Sequence, residues 1–323
     1  MSVVLRGALC CALVAAGTPA VAGESYPSKP IRIIVPFVPS GPTDLNARIV
    51  GQKLTEAWGQ SVIVDNRPGA GGIIGSEAVA KAAPDGYTLL AANPGPLTIA
   101  PGLRTKMGFD TLKDLQPVIL VSNTSSVLAL HPSLPVKTVK EFVALAKREP
   151  GKLTYGSPGI GTVGHLTWEL FSTMSGVKLT HVPYKGTAQA NNDFFAGQIE
   201  LRTLSVPFAL TALQTGKVRI LAITSLKRSS LLPDTPTVDE SGLKGFETGN
   251  WNGIMAPAGT PREIVMRLHD EIQRRVIKSE VRDQLIRDGY EVPGLGPEPY
   301  REYVKAELTK WARVIKAANV PQQ

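Results

Sequence analysis

The sequence predicts an α/β protein built as two domains. Three observations carry this. At 323 residues the chain is long for a single hydrophobic core. Short β-branched runs alternate with stretches of helical periodicity along most of its length. Each of the first three strand-like runs ends on a polar turn rich in Gly or Pro, the pattern of parallel strands joined by helical crossovers. Ligands of such sheets sit beyond the carboxyl ends of the strands.

In chain order, residues 1–22 come first and read as a secretory signal peptide. Arg6 supplies the basic charge, residues 8–16 are apolar, and Ala20-Val-Ala22 is a small-x-small cleavage pattern. Export with cleavage near Ala22 is therefore expected. The apolar run falls short of the ~20 residues that span a bilayer. Cys10 and Cys11 are the only cysteines, and both fall in the leader. The mature protein is expected to lack both a disulfide and a thiol nucleophile.

Residues 31–37 form the first predicted strand, ended by Pro36, Pro39 and Pro42, which cannot donate ladder bonds. After Ser40 and Gly41, a helix opens at Thr43 and Asp44, with Thr43 as capping oxygen and Leu45, Ile49 and Leu54 as its apolar stripe. A strand end, a tight loop and a helix N-terminus aim backbone N–H groups at one point. That makes an anion site with no cationic side chain, and an ordinary βα turn looks the same from sequence. Residues 61–66 read as the second strand, stopping at the glycine-rich turn 67–72. Residues 73–83 read as a helix with Ile74, Ala78 and Ala82 on one face. Residues 87–92 are the third strand, ending on Asn93-Pro-Gly95.

The middle of the chain repeats this grammar. Residues 118–131 are β-rich and long enough to pass from one domain to the other. Helices are predicted at 139–147, 166–174 and 189–195, and strands at 153–157, 179–183, 199–206 and 218–224. A helix is expected over 261–289, with Pro261 at its first position and Gly289 at its end, and another over 299–318.

The loop 155–165 is the second informative stretch. Gly159, Gly161 and Gly164 match a dinucleotide fingerprint in form, yet no carboxylate follows about 20 residues on to hold a ribose. An exported protein is a poor user of a nicotinamide cofactor, and no Walker lysine pattern occurs. The same glycines bring backbone amides and the Thr162 hydroxyl close to a small anion. Ser157 lacks the glycine two residues earlier that a nucleophile elbow needs, because Tyr155 stands there. The four histidines show no i,i+4 pairing, which argues against a metal site. His165, at the helix start, suits a binding role or a structural one, and His181 reads as packed. The formal charge of +8 is scattered, without the basic-aromatic clusters of a nucleic-acid binder.

Several motifs occur in order: Tyr26-Pro-Ser-Lys-Pro-Ile31, Val35-Pro-Phe37, Asn66-Arg-Pro-Gly-Ala-Gly-Gly72, Ala83-Pro-Asp-Gly-Tyr-Thr-Leu89, Tyr155-Gly-Ser157, Val182-Pro-Tyr-Lys-Gly186, Leu221-Ala-Ile-Thr-Ser225 and Ala256-Pro-Ala-Gly-Thr-Pro261. Through them nearly the whole mature chain resembles the extracytoplasmic solute-binding proteins of tripartite tricarboxylate transporters, the Bug family. The resemblance implies a two-lobed periplasmic binding protein, a Venus flytrap of type II topology, each lobe a mixed sheet flanked by helices. Lobe one would comprise residues 23–125 and 226–323, and lobe two 126–225. It further implies a monomer with no enzymatic activity and no cofactor. Its partners would be a small carboxylate and the membrane permease subunits of a transporter. Family members hold carboxylates on loop amides and ordered waters, and the matching loops here are 38–44 and 157–165. The expected ligand residues are Phe37, Pro39, Ser40, Gly41, Thr43, Asp44 and Asn93 on one side, and Ser157, Gly161, Thr162, His165 and Leu204 on the other.

Two departures from the family pattern stand out. The first loop carries Ser40 and Pro42 where Pro-Gly-Gly is usual, and Pro42 has no N–H. Leu204 stands where an acidic residue is common and Arg202 where an aliphatic one is, a change that favours a larger or more apolar acid if residue 204 faces the cleft. The expected function is capture of a small organic carboxylate, a di- or tricarboxylate or an aromatic acid, outside the cytoplasm. A ligand-sensing receptor and an exported hydrolase are the alternatives.

Overall fold

The computed structural model describes residues 26–322; the leader, its cleavage site and both cysteines lie outside the described residues. β1 (Ile31–Val35) leads through a loop into α1 (Pro42–Trp58), followed by β2 (Val62–Asn66), α2 (Ile73–Ala80) and β3 (Thr88–Ala92). A wide turn, Gly95–Ile99, runs into the single-turn α3 (Ala100–Leu103), then α4 (Thr111–Asp114) and the 16-residue β4 (Leu115–Leu130). Next come α5 (Val139–Arg148), β5 (Thr154–Ser157), α6 (Val163–Ser175), β6 (Thr180–Pro183), α7 (Thr187–Phe195), β7 (Leu201–Ser205), α8 (Val206–Gln214) and β8 (Arg219–Ile223). The chain closes with β9 (Gly249–Pro257), α9 (Arg262–Ile272), α10 (Glu280–Arg287), β10 (Tyr290–Glu291) and α11 (Pro297–Ala317).

The main strand order is β2-β1-β3-β9-β4-β7-β5-β6. β1 runs parallel to β2 and β3, with Ile33 opposite both Val64 and Leu89. Ile31, Ile33, Ile34 and Val35 are all buried, as a strand covered on both faces by crossover helices must be. β5 is likewise parallel to β6 and β7. Antiparallel pairing enters through β9 and β4, so the sheet is mixed.

β4 joins the two halves. Residues 115–125 pair with β9, and residues 126–130 pair with β7 and β8. The return passage lies between β8 and β9. Thr237 bridges Ile223, and Phe246 packs edge-on to Phe171 at 6.2 Å, inside the core that holds Tyr155 and Trp168. Residues 226–248 therefore pack with the β5–β8 half, because the apolar partners of Val238 and Phe246 are there. α11 touches both halves. Tyr300 and Val304 pack around Trp251, while Trp311, Val314 and Ile315 join the core of Phe171.

Three features depart from expectation. β9 forms against its local sequence, since Gly249, Asn250, Asn252, Gly253 and Pro257 all disfavour strands. Tertiary packing decides it: a Cβ on Gly253 would lie 2.7 Å from the Ile119 carbonyl, so only glycine lets β4 approach. The helix expected over 261–289 is broken. The Lys278 N–H bonds the Gln273 carbonyl five residues back, and Ser279 then caps a new helix by accepting from the Val281 amide. Pro261 caps α9 from outside rather than opening it. α1 buries Ala47, Val50 and Leu54 while Leu45 is exposed, and α2 buries Ile73 and Val79 while Ile74 is exposed.

Candidate ligand-binding site

A cavity of about 260 Å³ opens between the two halves. This is just under the usual range for small-molecule sites, about 300–1,000 Å³, and suits a compact ligand. The first half contributes Phe37, Ala70 with Gly71, and Asn93 with Gly95, which follow the carboxyl ends of β1, β2 and β3. Asn250 adds a polar group from β9. The second half contributes Ile160, Gly161, Thr162 and Val163, the loop that starts α6. Ile73, Ile99, Ala100, Leu103 and Arg104 complete the wall. Phe37, Asn93, Gly161 and Thr162 are thus the expected residues that line it.

The rest of the first loop does other work. Ser40 is exposed and adopts φ +72°, a left-handed conformation that costs a non-glycine residue about 1–2 kcal/mol. Its N–H donates to Asp44 Oδ2 at 3.0 Å. The buried Asp44 carboxylate also accepts from Arg48 Nε and Nη2 and from Asn66 Nδ2. The Arg48 guanidinium, first among these donors, pulls the Asp44 carboxyl down to about 2. Asp44 therefore holds the loop and has no lone pair to spare for a ligand. Pro39 and Gly41 do not reach the cavity, and α1 begins at Pro42 with Gly41 as its cap, so Thr43 caps nothing. The Thr43 hydroxyl does not line the cavity; it donates to Asn252 Oδ1 at 2.9 Å and stands 3.5 Å from Nδ2 of the lining residue Asn93.

Asp44→Asn keeps the shape and loses the charge. We expect a loss of about 1–2 kcal/mol in urea denaturation at pH 7, small because Arg48 is half-exposed and screened. An unchanged midpoint would show that Asp44 does not hold the loop.

The second loop is tighter. Gly161 sits at φ +76°, and a Cβ there would lie 2.3 Å from the Leu103 side chain. Thr162 caps α6: its Oγ1 accepts the His165 N–H at 3.4 Å and donates to the Gly159 carbonyl at 2.8 Å. The Val163 and Gly164 amides, the first two of α6, find no acceptor among the described residues. They lie where the helix dipole favours an anion.

Ser157 and His165 lie behind this loop, outside the cavity wall. His165 Nδ1 accepts the Gly161 N–H at 3.1 Å. Its ring stacks on His181 at 4.0 Å between centroids, and His181 stacks on Tyr155 at 4.9 Å. His181 Nε2 meets Ser157 Oγ at 2.6 Å, with the serine fully buried. Burial, helped by the neighbouring His181, drives His165 down to about 3, and burial takes His181 to about 4. Both rings are held neutral at pH 7, and for His165 the amide proton that it accepts from Gly161 agrees with this. The Tyr155 hydroxyl bonds Glu169, whose carboxyl is pushed up by burial.

Leu204 does not face the cavity. It is 3% exposed and packs with Val127, Phe194 and Val206, opposite Val127 in the ladder. Burying such a side chain stabilises the fold by about 1.5–3 kcal/mol, which outweighs any pull toward the cleft. Arg202, two residues earlier on the same face, is also buried. Its Nη1 donates to the Gly156 carbonyl at 3.2 Å, its Nε finds no acceptor, and no carboxylate among the described residues lies within 4 Å.

Sequence reasoning missed the apolar wall and Arg104. Pro94, Pro96, Pro101, Gly95 and Gly102 make that stretch read as loop. The signal available was the lone Arg104 closing an apolar run.

Residues 46–320 match the family described as tripartite tricarboxylate transporter family receptor. BugT of Bordetella pertussis is 34% identical over 297 residues, covering 92% of this chain and 91% of that protein. The solved structure of R. palustris Rpa4515 with adipate is 36% identical with a TM-score of 0.79, covering 92% of this chain and 99% of that one. MatC (Rpa3494) from Rhodopseudomonas palustris with bound malate is 32% identical with a TM-score of 0.75, covering 90% of this chain and all of that one. At this similarity the fold is that of a two-lobed periplasmic binding protein. The chain belongs to the tripartite tricarboxylate transporter receptor family of periplasmic solute-binding proteins.

Proposed function

We propose that this protein captures a small organic carboxylate outside the cytoplasm and hands it to the membrane subunits of a tripartite tricarboxylate transporter. The observation that carries this is the unengaged amides at the start of α6, whose first residue, Val163, lines a cavity at the ends of three parallel strands. Two charge-assisted bonds of about 1.5–3 kcal/mol each, with apolar contact added, offset association costs well enough for micromolar binding. The adipate and malate carried by the two similar structures support a carboxylate here. Residues 26–125 with 249–322 and residues 126–248 are the two lobes in this reading, and β4 with the segment before β9 forms the hinge.

Thermal-shift screening of the protein against mono- and dicarboxylates tests the reading. A true ligand at a hundredfold excess over Kd adds about 2.7 kcal/mol of apparent stability. Thr162→Val removes the cap that aims the α6 amides, so it is expected to cost about 1 kcal/mol of stability and to weaken carboxylate binding severalfold. Calorimetry on the variant checks this. Full affinity in Thr162→Val would remove the α6 amides from the site.

A further inference from the structure

We infer that Asn252, although outside the ligand cavity, sets the orientation of Asn93 within it, and that a single buried water holds Asn252 in place. The role of Asn93 rests on the reading of that cavity as a ligand site; the water does not. Four polar side chains lie inside the first lobe, where apolar ones are the rule. Thr43 and Asn46 belong to α1, Ser122 to β4 and Asn252 to β9, and none is more than 5% exposed. Ser122 faces Asn252 across the β4–β9 ladder. The Ser122 hydroxyl donates to Asn46 Oδ1 at 2.9 Å, and Asn46 Nδ2 donates to the Pro42 carbonyl at 2.9 Å. Asn252 Oδ1 accepts from the Thr43 hydroxyl. One donor is left over. Asn252 Nδ2 is buried and finds no acceptor among the described residues. Such a donor is costly, and ordered water is the usual way a fold satisfies it.

The fold has the space for that water. A cavity of about 10 Å³, close to what one water needs, is lined by both Asn46 and Asn252. Ala47, Val50 and Val121 make its wall otherwise apolar, and every residue that lines it is buried. A water there accepts from Asn252 Nδ2. It donates to the second lone pair of Asn46 Oδ1, the first being taken by Ser122.

The effect passes to the ligand cavity through Thr43. With Nδ2 turned to the water, Asn252 keeps Oδ1 toward Thr43, and the Thr43 proton is committed to that oxygen. This leaves the Thr43 lone pairs for Asn93 Nδ2, 3.5 Å away, the longest link in the chain. Asn93 Oδ1 is fixed from the other side by the Gly95 N–H at 2.9 Å. One Nδ2 hydrogen of Asn93 therefore remains for an acceptor in the cavity that Asn93 lines, a donor of set direction for a ligand oxygen. Asn252 acts through Thr43 and is a positioning residue.

NMR on protein with isotope-labelled asparagine tests the network without any ligand. The Asn252 side-chain amide is expected to show cross-relaxation with a long-lived water. The Asn93 side-chain amide should be rigid in the unaltered protein and in Thr43→Ser, and mobile in Thr43→Val and Asn252→Leu. No long-lived water at Asn252, or an Asn93 amide equally rigid in every variant, overturns the inference. Calorimetry with adipate carries the test to binding. Asn252→Leu should weaken adipate about fivefold, as the loss of one oriented hydrogen bond does. Once Asn93→Ala has removed the group it positions, the same change should cost less than about twofold. Equal losses in both backgrounds mark Asn252 as a packing residue and overturn the positioning role. Should Asn252→Leu not fold, Thr43→Val against Thr43→Ser carries the same comparison. If neither adipate nor malate binds the unaltered protein, the carboxylate reading loses its support, and the Asn93 and Asn252 amides still decide the network.

Discussion

Acidification from pH 7 to pH 5 is expected to remove up to about 4 kcal/mol of stability, well before most carboxylates titrate. The source is the stacked pair His165 and His181, held down to about 3 and about 4 by burial. Unfolded, both titrate near 6.5. The unfolded chain therefore takes up two protons that the folded one refuses, and stability falls by about 1.4 kcal/mol per pH unit for each ring below pH 6.5. The loss levels off as pH passes through the folded values. Glu169, beside His165, works the other way: burial raises its carboxyl, so it offsets part of the loss near its own titration. Asp44, lowered to about 2, adds to the loss only below pH 3.8.

The effect reaches the site, since a protonated His165 Nδ1 cannot accept the Gly161 amide that shapes the cavity loop. His165→Asn places an acceptor near Nδ1 and cannot be protonated, so its urea midpoint should fall less between pH 7 and pH 5. Equal pH slopes for both proteins would show that the stack does not govern acid stability.

Arg202→Met should make the protein more stable and worse at binding anions. The guanidinium is 1% exposed, with a single bond to the Gly156 carbonyl and an orphaned Nε. Burial lowers it to about 10, so it is still charged at pH 7. Replacing such a buried charge with an apolar side chain of similar length gains about 1–4 kcal/mol. Its position explains its presence. Nη1 lies 3.9 Å from where a Cβ of Gly164 would be, directly behind the first turn of α6. A positive charge there adds to the helix dipole at the Val163 and Gly164 amides, and low dielectric carries its field to the cavity. Denaturation and calorimetry on one preparation should show opposite signs, with stability up and carboxylate affinity down several-fold. A variant that loses both would mark Arg202 as a packing element only.

The β1-loop-α1 and β5-loop-α6 units were legible in the sequence because they are local. A β-branched run and a glycine turn act within a dozen residues, and Thr162 caps α6 as such a residue should, whereas Thr43, read the same way, caps nothing in α1. The turns after β1, β2 and β3 border the cavity for the same reason: in parallel sheets the carboxyl ends of strands are where loops converge.

What the sequence determined by itself was the family, the α/β grammar and the two glycine loops, all encoded in short-range pattern. The tertiary structure decided the cavity wall, and it did so through contacts far apart in the chain. β9 exists because Gly253 lets β4 approach, against its own poor strand propensity. Leu204 turned to the core because period-2 alternation leaves both faces open until packing chooses. Asp44 became a loop clamp once Asn66 and Arg48 closed on it. Arg104 entered the site because the Pro/Gly-rich stretch after β3 folds back onto Gly161, a path set by where Leu103 and Ile99 find apolar neighbours rather than by any propensity of their own.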